Sequence, residues 1–277
     1  INQNNYTAKL LQKFDIHKLH NPVLTPGEPG IKLRKNPDTA STSDINQYQQ
    51  QIGSLLYLAL KTRPDITFAV TNCARYMSNP GPDHFHALAR IWKYLLAYPN
   101  LGLVYNCRGN LCIKGYSDSD WGNDLDQRKS TSAYLFSFGD IGINNPISWT
   151  SQLQKSTALS TCEAEYMALK EATKEAIYLT NVFTYLNTEL RLSYQNTVPR
   201  ILTDSDSARK LAENPEFHKR SKHIEIIYHF TRQAILEGKI QLIHIPSKYQ
   251  LADFLTKNVN NQLQRVYISM ANLDSKI

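Results

Sequence analysis

The sequence predicts an α/β fold in which a mixed five-stranded sheet carries helices on both faces, preceded by a mostly helical region. Apolar residues recur at helical spacing in the first 108 residues, whereas short apolar runs typical of strands dominate from about residue 110. From there the predicted order is β-β-β-α-β-α-α-β-α, which implies a mixed sheet covered by helices. Because 277 residues suffice for two ordinary domains, we expect one domain at 1–108 and a second at 109–277.

The first region is predicted to be helical, with one extended connector. Tyr6, Leu10 and Phe14 recur at helical spacing, so a helix is expected within residues 1–20. Residues 22–47 contain four prolines and little apolar content, which is typical of a connector. Three further helices and a short strand are expected at 48–59, from Pro64 to about Tyr76, from the break at Pro80–Pro82 to about Tyr98, and at 102–105.

A hairpin whose first strand ends in acidic residues opens the second region. The runs 111–115 and 132–138 are rich in aliphatic and aromatic residues, so each predicts a strand. Asp118 and Asp120 stand at the end of the first strand. Burying an unpaired carboxylate is costly, so these side chains are expected to face water or to hold a cation.

A third strand at 146–150 and a long helix follow the hairpin. Ser160 and Glu163 have the spacing of a capping box, so the helix is expected to begin there and to run to about Asn187. Glu165 lies in its first turn, on the same face as an apolar stripe formed by Ala168, Leu169, Ala172, Ala176 and Leu179. A glutamate on a sheet-facing side needs a partner, which makes Glu165 a candidate functional residue.

The remaining elements carry two more candidate carboxylates. Asp204 ends a short strand at 201–204, and Asp253 lies in a last helix carrying 251–255. Between them the sequence predicts a helix ending at Asn214, a basic segment at 217–223, a helix at 224–235 ended by Gly238, and an alternating strand at 239–245.

Composition adds two expectations about partners and surroundings. The net charge of +7 favours a polyanionic partner such as nucleic acid. The four cysteines form no C-x-x-C pair, so neither a disulfide framework nor a thiolate zinc site is predicted. No apolar run is long enough to cross a membrane, and no signal peptide is recognised.

Several short motifs occur in order between about 110 and 260. They are Gly115-Tyr-Ser-Asp-Ser-Asp-Trp121, Arg128-Lys-Ser-Thr-Ser132, Ile147-Ser-Trp149, Ala158-Leu-Ser-Thr-Cys-Glu-Ala-Glu-Tyr166, Thr203-Asp-Ser205, Lys222-His-Ile224 and Leu251-Ala-Asp-Phe-Leu-Thr-Lys257. In this order they resemble the ribonuclease H domain of copia-type (Ty1/copia) retrotransposon Pol polyproteins. Residues 5–105 resemble the reverse-transcriptase thumb or connection region of the same polyprotein, through marks such as Thr62-Arg-Pro-Asp-Ile66. The resemblance implies a ribonuclease H-like fold for 109–277.

The resemblance also implies a nuclease that cleaves the RNA strand of RNA/DNA hybrids with two Mg²⁺ ions, Mn²⁺ being an alternative. The family's catalytic and metal-binding roles carry over to Asp118, Glu165, Asp204 and Asp253, with Asp118 bridging both ions. Oxygen ligands suit Mg²⁺, and clustered carboxylates cannot all stay ionised without cations. Asp120 in place of Asp118, and Glu163 in place of Glu165, remain alternatives on the residues alone.

Contacts to the hybrid are expected from basic and polar residues in two segments. They are Arg128, Lys129 and Ser130 in the hairpin turn and Arg220, Lys222 and His223 in the basic segment. The upstream polymerase part of the polyprotein is a further expected partner. We expect an intracellular, cytoplasmic chain, with virus-like particles or the nucleus as other compartments. The alternative function is a catalytically silent nucleic-acid-binding or scaffold remnant, and no polymerase motif is present in this chain.

Overall fold

The computed structural model of the chain describes residues 1–106, 112–139, 144–191, 197–214 and 225–274, with the backbone alone at 225–228. The chain divides into two compact units. Unit 1 consists of Ile1–Val104, Asn123–Arg128 and Lys257–Ile277, and unit 2 consists of Tyr105–Gly122 and Lys129–Thr256. The units therefore interleave along the chain, whereas a single division between residues 108 and 109 stays a prediction.

Unit 1 is mostly helical, as predicted. Its helices are α1 (Asn4–Lys13), α2 (Thr42–Lys61), α3 (Thr67–Ala74), α4 (Pro82–Ala97) and α8 (Asn261–Met270). Residues at helical spacing on α2 and α4, among them Tyr48, Ile52, Leu88 and Ile91, are almost fully buried in one cluster. Such a stripe drives helix packing because each buried apolar side chain contributes about 1.5–3 kcal/mol.

The connector before α2 is shorter than predicted. Ser41 caps α2 by accepting a hydrogen bond from the Asp44 backbone N–H at 3.1 Å. Ser and Asp at these positions favour a helix start even though the first turn is polar. The prediction that the connector extends to residue 47 was therefore wrong, because cap chemistry sets this boundary before apolar periodicity begins.

Unit 1 contains a buried ion pair between two residues that are close in sequence. The Arg63 guanidinium donates from Nη2 to Asp65 Oδ2 at 2.8 Å and from Nε to Oδ1 at 2.9 Å and to Oδ2 at 3.2 Å, and both side chains are 1% exposed. The Tyr94 hydroxyl also donates to Asp65, at 2.8 Å. Gln264 of α8 donates to the backbone carbonyl of Asp65 at 3.4 Å. Helix α8 is thus hydrogen-bonded to the 3-10 helix Pro64–Ile66, which directly precedes α3.

The sheet of unit 2 has five strands, which are β2 (Ile113–Ser119), β3 (Thr131–Phe138), β4 (Asn145–Leu153), β5 (Arg200–Thr203) and β6 (Gln241–His244). Their order across the sheet is β4-β3-β2-β5-β6. β2, β3 and β4 pair antiparallel, whereas β5 runs parallel to β2 and β6 parallel to β5. The sheet is therefore mixed, as predicted, and β2 is central with its acidic end between β3 and β5.

Helices cover this sheet on both faces. α5 (Thr161–Glu189), α6 (Asp206–Glu213) and α7 (Glu225–Leu236) share a buried cluster with Ile113 of β2. Side chains alternate along a strand, so Asp118 lies on the opposite face, where the 3-10 helix Leu251–Leu255 lies against β2 and β3. The predicted α/β class and ribonuclease H-like fold are confirmed.

Two elements of unit 1 were not predicted. They are α8 and the strand β7 (Leu273–Asp274), which pairs with β1 (Gly102–Leu103) and sets Asp274 opposite Gly102. The predicted strand at 102–105 is present but shorter, and the predicted last helix is the 3-10 helix Leu251–Leu255. Among the helices of the described ranges, none combines the length and the apolar character needed to span a membrane.

Candidate active site

Asp118 occupies the buried end of the central strand. It lies one residue before the end of β2, opposite Ala133 of β3, and is 5% exposed. The hydroxyl of Thr256 donates a hydrogen bond to Asp118 Oδ2 at 2.6 Å. A charge-assisted bond of this length fixes the carboxylate in one orientation. Asp118 is therefore a buried acidic group held at the sheet end, as a candidate metal ligand requires.

Glu165 is presented by the first turn of α5. Ser160 caps this helix by accepting from the Glu163 N–H at 3.1 Å, as the capping-box spacing predicts. Burial raises the pKa of Glu165 well above its ordinary value, and the charges of Asp118 and then Asp204 raise this pKa further. Hydrogen bonding from Ser119 opposes these effects. Three carboxylates on three elements are thus close enough to interact electrostatically.

Asp204 follows the end of a strand, and Asp253 lies in the middle of a short helix. Asp204 directly follows β5, whose parallel pairing with β2 brings both acidic strand ends to the same edge of the sheet. Asp253 lies within the 3-10 helix Leu251–Leu255 and is half-buried. The Thr256 hydroxyl that bonds Asp118 also lies 3.0 Å from the backbone carbonyl of Asp253. The segment carrying Asp253 is therefore linked to Asp118 through one threonine.

The donor set suits a hard divalent cation. Glu165 Oε2 is buried and has no hydrogen-bond partner among the described residues. An unpartnered buried carboxylate oxygen beside two other carboxylates is unfavourable unless it is protonated or meets a cation, and oxygen ligands are those that Mg²⁺ prefers. Over the described ranges, no three His, Cys, Asp or Glu side chains lie close enough to form a preassembled metal site.

The two carboxylates that the sequence left as alternatives have structural tasks. Asp120 accepts a hydrogen bond from the Thr131 backbone N–H, and its own N–H donates to the Thr131 carbonyl, so it closes the hairpin. Glu163 accepts from the Leu159 N–H at 2.7 Å, in front of the helix cap. These contacts favour Asp118 and Glu165 as the functional members of each pair.

The residues predicted to contact nucleic acid differ in their exposure, and three of them lie outside the described ranges. Arg128 is exposed, with a backbone φ of 58°, and Lys129 is half-buried. Ser130 is fully buried, and its hydroxyl accepts a hydrogen bond from the Gly122 N–H at 2.9 Å, so its side chain holds the loop in this structure. Arg220, Lys222 and His223 lie outside the described residues.

Two residues that support the site, Thr256 and Gln250, were not identified from the sequence. Gln250 is fully buried and donates from Nε2 to the Ser117 carbonyl at 2.9 Å. Its Oε1 accepts from the Ala252 N–H at 3.2 Å. Gln250 and Thr256 flank Asp253 and attach its segment to β2.

Comparison with solved structures finds a weak likeness to the N-terminal ribonuclease H domain of a Mycobacterium tuberculosis protein. That domain is 13% identical with a TM-score of 0.38, and the match covers 58% of this chain and 99% of that chain. No protein-family model matches the chain.

Curated relatives are much closer in sequence. The retrovirus-related Pol polyprotein of transposon RE1 from Arabidopsis thaliana is 37% identical over 257 residues, which is 93% of this chain and 17% of the relative. The corresponding polyprotein of transposon TNT 1-94 from Nicotiana tabacum is 36% identical over 264 residues, which is 94% of this chain and 19% of the relative. The chain thus spans less than a fifth of the length of these relatives. The chain is therefore a homologue of one segment of the Pol polyproteins of copia-type retrotransposons.

Proposed function

We propose that this chain cleaves the RNA strand of RNA/DNA hybrids as a metal-dependent endonuclease. The observation that carries the proposal is the buried Glu165 Oε2, which has no hydrogen-bond partner among the described residues, in a carboxylate whose pKa is raised by burial and by the charges of Asp118 and Asp204. Buried carboxylates that oppose one another's ionisation are typical of functional sites rather than of packing. The net charge of +7 suits a polyanionic substrate.

In this proposal Asp118, Glu165, Asp204 and Asp253 hold two Mg²⁺ ions. Bound there, the ions supply an activated water and stabilise the leaving 3′ oxygen of the RNA strand. The chain contributes the positions of the ligands. Thr256 holds Asp118 in one orientation, the Ser160 cap fixes the first turn that carries Glu165, and Gln250 fastens the segment of Asp253 to β2.

Cleavage of end-labelled substrates tests this function. RNA in hybrid with DNA, RNA duplex and DNA duplex are each incubated with the chain in Mg²⁺, in Mn²⁺ and with chelator. We expect cutting of the hybrid's RNA strand alone, in either metal and not with chelator. A folded chain that binds hybrid but forms no metal-dependent product would contradict the proposal and would select a silent nucleic-acid-binding remnant instead.

A further inference from the structure

A buried histidine closes the start of helix α4. His84 is 1% exposed and is the third residue of this helix, which begins at Pro82 and is preceded by the cap residue Gly81. The His84 Nδ1 accepts a hydrogen bond from the Gly81 N–H at 2.8 Å. Glutamate or glutamine commonly makes this bond, as half of a capping box. The cap of α4 therefore depends on a side chain that titrates near neutral pH.

The second ring nitrogen of His84 binds the connector that precedes α2. The Nε2 atom lies 2.8 Å from the backbone carbonyl oxygen of Arg34. A carbonyl only accepts and a backbone N–H only donates, so the two bonds together require a neutral ring that carries its proton on Nε2. One imidazole thus joins Arg34 of the connector to the cap residue Gly81 of α4.

Two more connector residues are held beside this histidine. The Tyr76 hydroxyl lies 3.0 Å from the Leu33 carbonyl oxygen. The Lys35 N–H lies 3.1 Å from both carboxylate oxygens of Asp126. The Tyr76 ring also stacks on the His84 imidazole, with the ring centroids 4.1 Å apart. The connector is therefore fixed at three consecutive residues by one cluster of side chains within unit 1.

Protonation of His84 at Nδ1 would break this arrangement. The added proton would point at the Gly81 N–H, so two donors would face each other and the bond would be lost. The first turn of a helix also carries partial positive charge, which disfavours an imidazolium there. Burial lowers the pKa of His84 below its ordinary value, although the Arg34 carbonyl and the charges of Asp83 and Asp126 act to raise it. The folded chain thus favours the neutral ring.

The titratable and charged residues around the imidazole come from four segments of unit 1. They are Asp83 on α4, Arg75 and Tyr76 after α3, Arg34 and Lys35 on the connector, and Asp126 between β2 and β3. The side chains of Arg34 and Lys35 are exposed. Aspartate, tyrosine, arginine and lysine ordinarily keep their charge between about pH 5.5 and 7.5, whereas histidine does not. Within this set, His84 is the group that responds to pH in that range.

We propose that His84 is a pH-operated latch, which holds the connector to α4 while its ring is neutral and releases it when the ring is protonated. The pKa of His84 is lower in the folded chain than the ordinary value of about 6.5. Its stabilisation of unit 1 is therefore complete above that value and is lost as the pH falls through the folded pKa. The latch does not depend on the proposed nuclease, so a chain that cuts no hybrid would leave it standing.

Hydrogen exchange of the connector, followed by mass spectrometry at several pH values, tests the latch. The native chain is compared with His84→Gln, whose amide can accept from Gly81 and donate to Arg34 without titrating. The control His86→Gln removes an exposed histidine of the same helix. Between about pH 7.5 and 5.5, exchange at residues 30–40, corrected for the intrinsic rate, should rise in the native chain and in the control. The rise is limited to about tenfold per pH unit by the uptake of one proton, and His84→Gln should stay protected.

Two results of this experiment would overturn the latch. One is a native connector that keeps the same protection across the pH range, and the other is a His84→Gln connector that loses protection as the native one does. If His84→Gln does not fold, NMR of the ring nitrogens in the native chain decides. We expect a neutral ring protonated at Nε2 at neutral pH, which titrates where the connector loses protection. A ring that carries a proton on Nδ1 at neutral pH would refute the proposal.

Discussion

In the candidate site, Glu165 Oε2 has no hydrogen-bond partner among the described residues, and Asp118 accepts a hydrogen bond from Thr256. Glu165 is strained electrostatically by burial and by Asp118 and Asp204, whereas Asp118 is stabilised by the Thr256 hydroxyl. The acidic residues could be identified as candidates in the sequence because each lies in or next to a recognisable element. Thr256 could not, because its bond to Asp118 joins residues 138 apart and nothing in a local pattern signals it.

Removing the Thr256 hydroxyl should weaken both stability and cleavage. Thr256→Val keeps the shape of the side chain but takes a buried hydrogen bond from a carboxylate, so the free energy of unfolding should fall by about 1.5–3 kcal/mol. Urea unfolding measures this change, and hybrid cleavage should slow in parallel because Asp118 loses its orientation. Thr256→Ser retains the hydroxyl and serves as the control. Equal stability and cleavage in the Thr256→Val variant and the native chain would refute the positioning role.

At the scale of elements, the sequence predicted a helix correctly where the capping residues and the spacing of apolar residues both indicate that helix. The start of α5 followed from Ser160 and Glu163, and the residues spaced along its apolar face are buried. Prediction failed for α8 because its pattern is inverted: Leu263 and Val266 are each 43% exposed, while Gln264 and Tyr267 are 3% and 4% exposed. The spacing of apolar residues does not indicate a helix such as α8, whose buried face includes a glutamine. The Asn260 cap was its one local signal.

The cap of α5 offers a test at this scale. Ser160→Ala removes the acceptor for the Glu163 N–H, so the free energy of unfolding should fall by about 1 kcal/mol. Ser160→Asn retains a capping oxygen and should stay close to the native value. Denaturant midpoints of the three chains measure the difference. If alanine and asparagine behaved alike, the contribution assigned to this cap would be refuted.

At the scale of the molecule, the two units are not consecutive pieces of sequence. Residues 257–277 return to unit 1, where β7 pairs with β1 and Gln264 reaches the backbone of Asp65. A change of sequence pattern near residue 110 marks where sheet replaces helix, but it cannot reveal contacts between residues about 170 apart. The five-stranded sheet was predictable because its strands carry their own local patterns, whereas the return of the C-terminal segment rests on tertiary contacts alone.

Deleting residues 257–277 should therefore destabilise unit 1. The deletion removes β7, leaves β1 without its partner strand, and uncovers the surface against which Tyr267, Ala271 and Leu273 are buried. We expect unit 1 to be digested at lower protease concentration than in the full chain, with cleavage products mapped by mass spectrometry. Unchanged protease resistance of residues 1–104 would show that the C-terminal segment contributes little to this unit.

The most direct test of the account compares Asp118→Asn with Asp120→Asn. Asparagine keeps the size of either side chain, and at position 120 its oxygen can still accept from the Thr131 N–H that closes the hairpin. The measurement is the rate of Mg²⁺-dependent cleavage of the RNA strand in a hybrid. We expect Asp118→Asn to lower this rate at least a hundredfold, while Asp120→Asn stays within a few-fold of the native chain. A folded Asp118→Asn chain that cuts hybrid at the native rate would contradict the assignment of the active site.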